Sequence, residues 1–128
     1  MIKKNIYTVI VTTAVVILSV IPIPEVPPLE GVPFIDKWVH FVMYGGVSLA
    51  MWMDLYFVRK ERFLSPKFNV SVLLFPIILG GVMEVVQEYL TTCRNGDMLD
   101  LYADAFGCFL GNLIALVAYL CLTKVKRA

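Results

Sequence analysis

Ten polar residues in the 128-residue chain have the types and spacing to do chemistry. Asp36, Lys37 and His40 come first, with Asp36 and His40 four apart and so on one face of a helix. A carboxylate one turn from an imidazole can orient it. Glu84, Gln87 and Glu88 form a second group, and Arg94, Asp97, Asp100 and Asp104 a third, its acids three and four apart as on one helical stripe. Lys37, His40 and Arg94 could hold an anionic group such as a phosphate or polar headgroup, with Arg94 pairing to Glu84, Asp97 or Asp100 in a bidentate way. Two other chemistries use the same residues. Glu84 or His40 could act as general base with Arg94 stabilising an oxyanion, or Asp36, His40, Glu84, Asp100 and Asp104 could ligate a divalent cation, since mixed nitrogen and oxygen ligands suit such ions. The bland alternative is a salt-bridged cap tying helices together, and the binding pocket is preferred to it because ionisable groups inside a membrane are costly and mark function. No GxSxG motif accompanies His40, Ser48 lies two turns further along, and HExxH-like spacing is absent, so an enzyme or a metal centre is not favoured.

The elements that position these residues are apolar. Hydrophobic residues make up 59% of the chain and charged residues 16%, against about a quarter charged in soluble domains. The apolar residues fall in four runs near the length that crosses a hydrocarbon layer of about 30 Å: Asn5 to Ile21, Trp38 to Val58, Phe68 to Leu90 and Ala103 to Thr123. The expected fold is all-α, a single domain forming a bundle of four transmembrane helices, with no room for a soluble domain. The net charge of +1 says little by itself, because its distribution along the chain carries the information. Membrane lipid, and not nucleic acid, is the expected partner.

Charge position sets the expected orientation. Lys3 and Lys4, then Arg59, Lys60, Arg62 and Lys67, then Lys124, Lys126 and Arg127 all flank the runs on one side, leaving only Lys37 and Arg94 elsewhere. The positive-inside rule makes that side cytoplasmic and places both termini there. The first run also has the look of a signal peptide, but it ends in Ile21-Pro22-Ile23-Pro24 without a small-residue cleavage site, so an uncleaved anchor is expected. Of the acids, only Asp54 and Glu61 fall toward the basic side. A small transporter with a proton relay is a further alternative, but the inner halves of the helices hold few ionisable residues to complete a path. Asp54 is the exception, and interfacial solvation is its expected role.

Smaller signals complete the reading. The connection containing Pro22, Pro24, Pro27, Pro28 and Pro33 cannot be helical throughout. Pro76 should kink the third helix. In the fourth, Ala103, Gly107, Gly111 and Ala115 form a stripe of small residues that suits close helix approach, either in a homo-oligomer or, preferred here, inside the monomer against Gly45-Gly46 or Gly80-Gly81. Cys108 and Cys121, about 20 Å apart on one helix, cannot bridge and read as small packing residues, while Cys93 sits alone in an outer connection.

Taken in order, Asp36-Lys37-x-x-His40-Phe41, Glu84-x-x-Gln87 and Arg94-x-x-Asp97-x-x-Asp100-x-x-x-Asp104-x-x-Gly107-x-x-x-Gly111 resemble the VanZ-like membrane protein family. The resemblance spans helices two to four. It implies a bacterial cell-envelope protein, set in the inner membrane, of a family named for a member linked to resistance to the glycopeptide teicoplanin, and an outward polar pocket that could receive a lipid headgroup, a lipid-linked precursor or a lipoglycopeptide. It implies no established reaction. Two positions depart from the family pattern, which usually has Asn where Asp104 stands and often Ser or Thr where Asp97 stands. If that Asn is a neutral hydrogen-bond donor, Asp104 can take its part only when protonated.

Overall fold

A computed structural model describes residues 2–21, 35–58, 66–92 and 97–128. The prolines of the first connection, the basic residues Arg59, Lys60 and Arg62, Cys93 and Arg94 lie outside the described residues. Every regular element among the described residues is helical. A short 3-10 turn, Ile2–Lys4, precedes α1 (Ile6–Val20). Helix α2 (Ile35–Met53) runs on into a π-helical turn, Asp54–Val58, and α3 (Pro66–Leu90) and α4 (Met98–Arg127) complete the chain. Three of these are long and apolar enough to cross a membrane: Ile35–Val58 with 24 residues, Asn69–Leu90 with 22 and Met98–Arg127 with 30. Helix α1 is apolar but has 15 residues, which at 1.5 Å per residue is roughly 22 Å.

Local chemistry explains several helix ends. Pro66 opens α3, where a missing N–H costs nothing and the fixed φ suits the first turn. Asp97 caps α4 with an extended backbone (φ −141°, ψ 123°), and its Oδ1 accepts the Leu99 N–H at 2.9 Å. Helix α4 therefore starts five residues before Ala103, and Asp100 sits in its first turn. Lys124, Lys126 and Arg127 close the helix, where cations complement its dipole. Helix α3 runs on through Pro76, which is fully buried.

The principal packing is α2 against α4. Their side-chain partners keep a nearly constant offset along the chain: Lys37 with Asp97, His40 with Asp104, Ser48 with Cys108, Trp52 with Asn112. A constant offset means the two helices run parallel. Small residues allow the approach. A Cβ on Gly45 would stand 2.9 Å from the Gly107 carbonyl oxygen, one on Gly111 2.8 Å from that of Gly45, and one on Gly107 would collide with the Phe41 carbonyl. The small face of α4 is thus filled by α2 of the same chain, whereas Gly81 meets nothing within 4 Å.

Val15, Tyr44, Val47 and Cys108 form one buried cluster, and Trp52, Leu55, Val72 and Ala115 another nearer the far end of α2. Cys108 packs there as expected, while Cys121 is exposed. Large apolar side chains such as Ile10, Val42, Ile78, Phe106 and Val117 point outward, as expected of helices whose solvent is lipid.

Asp54 does more than sit in an interface. It is fully buried, and its carboxylate accepts the backbone N–H groups of Tyr7 at 3.0 Å and Thr8 at 2.7 Å. Asn5, at the N-cap of α1, makes no side-chain capping bond. Asp54 supplies that function from another helix, placing a negative charge at a helix N-terminus with unpaired amides. The start of α1 and the end of α2 consequently share one end of the bundle.

Candidate functional site

At the opposite end, the start of α2, the end of α3 and the start of α4 bring their ionisable side chains together. Lys37 is the hub of the outer part. Its Nζ lies 2.6 Å from Asp97 Oδ2, 2.9 Å from Asp100 Oδ1 and 2.9 Å from Asp36 Oδ2. Asp36 is exposed and pairs sideways with Lys37, so the carboxylate that orients His40 is not the one a turn earlier on its own helix. Asp97 is held by two donors: Lys37 above all and, second, the Leu99 amide keep its carboxyl below the usual aspartate range.

His40 is the hub of the inner part and is 3% exposed. Its Nδ1 lies 3.0 Å from Asp104 Oδ1 and 4.0 Å from Glu84 Oε1, and its Nε2 lies 3.6 Å from Asp100 Oδ2. The ring stacks on Tyr44 one turn further along α2. Glu84 uses one oxygen structurally, Oε2 accepting the Asp97 backbone N–H at 2.6 Å. Its other oxygen, Oε1, and Asp104 Oδ2 are buried without a hydrogen-bond partner. Gly80 on α3 makes room for Asp104, since a Cβ there would stand 2.5 Å from Oδ2.

Of the residues singled out in the sequence, Asp36, Lys37, His40, Glu84, Asp97, Asp100 and Asp104 thus form one continuous network across three helices. Gln87 is buried but directed elsewhere: its Nε2 donates to the Ser19 carbonyl oxygen at 3.0 Å, tying α3 to the end of α1. Arg94 lies outside the described residues. Ser48 is a turn and more below the cluster, its hydroxyl donating to the Cys108 carbonyl oxygen at 3.4 Å. Two contributors carried no signal in the sequence reading. Gly80 looked like a packing glycine and in fact admits a carboxylate. The Trp52–Asn112 hydrogen bond, indole N–H to side-chain carbonyl, lies deep between α2 and α4, and only the parallel register of those helices could have paired the two residues.

The described network holds five carboxylates against one lysine and one histidine. Such a set attracts cations and hydrogen-bond donors, and Lys37 is fully engaged in holding it together. No protein-family model, curated protein or solved structure matches the chain.

Proposed function

We propose that the chain is a VanZ-like protein of the bacterial cell envelope, crossing the cytoplasmic membrane four times with both termini inside, whose acidic site at the outer end of the bundle receives the polar headgroup of an envelope lipid, lipid-linked precursor or lipoglycopeptide. The observation that carries this reading is the convergence of three helix ends on the Lys37 and His40 networks. Buried charges bound for lipid would be costly, and their assembly beside an apolar helix surface suits a ligand with one polar and one apolar part.

The carboxylate excess supports a headgroup that brings hydroxyl or ammonium donors. Any anionic portion falls to Arg94, because Lys37 is already shared among three acids. Binding without turnover is favoured: Ser48 has no access to His40 as a nucleophile would need. Modulation of teicoplanin susceptibility would follow from sequestering the drug's acyl-bearing end or its lipid-linked target.

The test is native mass spectrometry of the purified protein with its co-purified lipids, alongside teicoplanin susceptibility of cells expressing it. Wild type should retain a lipid or bind the lipoglycopeptide, and Arg94→Gln should lose that retention together with any shift in susceptibility. Reproducible turnover of a lipid-linked substrate by the folded protein would overturn the reading.

A further inference from the structure

We infer that His40, Glu84 and Asp104 form a binding site for a single divalent transition-metal ion of the zinc type, buried beneath the Lys37 network. This goes beyond headgroup binding and does not depend on it. One ligand atom from each of the three residues lies within 4.8 Å of the other two. An ion about 2.0–2.2 Å from each ligand needs ligand atoms roughly 3–4 Å apart, and Nδ1 of His40 stands 3.0 Å from Asp104 Oδ1 and 4.0 Å from Glu84 Oε1.

Charge balance points the same way. Lys37 faces Asp36, Asp97 and Asp100, leaving Glu84 and Asp104 with only the imidazole among the described residues. A protonated imidazole would offset one carboxylate, whereas a divalent ion offsets both and leaves His40 neutral.

The hydrogen bonds carry the inference furthest. A metal-free network, with Nδ1–H donating to Asp104, satisfies one oxygen and strands two others, Glu84 Oε1 and Asp104 Oδ2, of which Asp104 has no exposed surface at all. Buried carboxylate oxygens without donors are costly. A cation held by His40 Nδ1, Asp104 Oδ1 and Glu84 Oε1 would give Glu84 Oε1 its missing partner and offset the charge that Asp104 Oδ2 shares. Asp100 completes the arrangement from behind. Its Oδ2 lies 3.6 Å from Nε2, longer than a hydrogen bond but on the side where a nearby carboxylate favours the proton on Nε2 and leaves the Nδ1 lone pair for the ion, as is usual for metal-bound histidines. Glu84 Oε2, bound to the Asp97 amide, is oriented in the same way.

The probe is zinc alone. Detergent-purified protein is stripped with chelator, incubated with zinc chloride, freed of excess and analysed for bound metal, with thermal unfolding followed in parallel. Wild type should retain about one ion per chain, and zinc should raise its unfolding midpoint. Glu84→Gln, which keeps an acceptor for the Asp97 amide, and His40→Gln should each weaken binding at least about tenfold, and Asp100→Asn should weaken it about 10- to 100-fold while leaving the stoichiometry unchanged. Glu88→Gln, an exposed acid on α3, should bind as wild type does. A folded wild type that retains no stoichiometric zinc and is not stabilised by it overturns the inference. So does a Glu84→Gln protein that binds as tightly as wild type, and because this variant and the wild-type titration suffice, a His40→Gln chain that fails to fold does not blunt the test.

Discussion

Lys37 holds three carboxylates of very different burial, and the difference decides what each contact is worth. Asp100 is 8% exposed and Asp36 57%. Lys37→Met strands Asp100 without its cation and should destabilise the protein by about 1–3 kcal/mol, the cost of an unsatisfied buried polar group. Asp36→Asn removes a solvent-screened pair and should cost less than about 1 kcal/mol. Unfolding midpoints in one detergent compare the two, and equal effects would contradict this ranking. Asp97 adds a pH dependence. Its carboxyl is held low in the folded protein by Lys37 and the Leu99 amide, so its contribution is complete above the unfolded aspartate value of about 3.9 and is lost as pH falls through the lower folded value. Asn is as good a cap as Asp, so Asp97→Asn keeps the helix start and removes only the charge. The variant should therefore lose less stability than wild type on acidification below about pH 4. These partners show what residue spacing can reveal. The stripe of Asp97, Asp100 and Asp104 was legible, because three- and four-residue spacing fixes one helix face. That His40 meets Asp104 rather than Asp36 was not, because spacing says nothing about which faces of different helices meet.

Helices in this chain are completed by one another. Helix α1 has no capping side chain of its own, and its first amides are taken by Asp54 at the end of α2. Asp54→Ala should cost about 1–2 kcal/mol, the usual loss for an N-cap, and the damage should be local. Hydrogen exchange at the Tyr7 and Thr8 amides should accelerate while the α2–α4 seam keeps its protection. Unchanged exchange at those amides would show that the cap is dispensable. Sequence alone pointed Asp54 toward water, because an acid near a run's end is normally solvated there. Asp54 instead continues the buried face of Val47 and Ala50 at helical spacing, and no local pattern announced that the start of α1 would meet it there. The small stripe on α4 was easier to read: Gly107 and Gly111 leave space that only a backbone can fill, and α2 fills it through Phe41, Gly45 and Ser48.

At the scale of the whole molecule, the helix directions constrain how the chain can sit in a bilayer. Helices α2 and α4 run parallel, so the basic end of α4 lies at the same end as Asp54, and Asp54 holds the start of α1 there too. Lys3, Lys4, Lys67, Lys124, Lys126 and Arg127 therefore gather at one end of the bundle and the carboxylate network at the other. In the proposed topology, which rests on the positive-inside rule, the first end faces the cytoplasm. Helix α1 is short for a hydrocarbon layer of about 30 Å, yet it reaches from Asp54 to Gln87, whose side chain holds the Ser19 carbonyl oxygen. That is nearly the depth between the two ends, and a crossing this short would need local thinning of the bilayer or snorkelling of Lys3 and Lys4. The prediction is a chain with four crossings. In a background without native cysteines, a membrane-impermeant thiol reagent applied to intact cells should label Glu30→Cys and leave Lys4→Cys, Lys67→Cys and Ala128→Cys unlabelled until the membrane is opened. Labelling of Lys4→Cys from outside would reduce the crossings to three. Labelling of Ala128→Cys from outside would place the basic end of the bundle away from the cytoplasm, and with it turn the acidic site inward, where no extracellular drug or outer-leaflet headgroup could reach it.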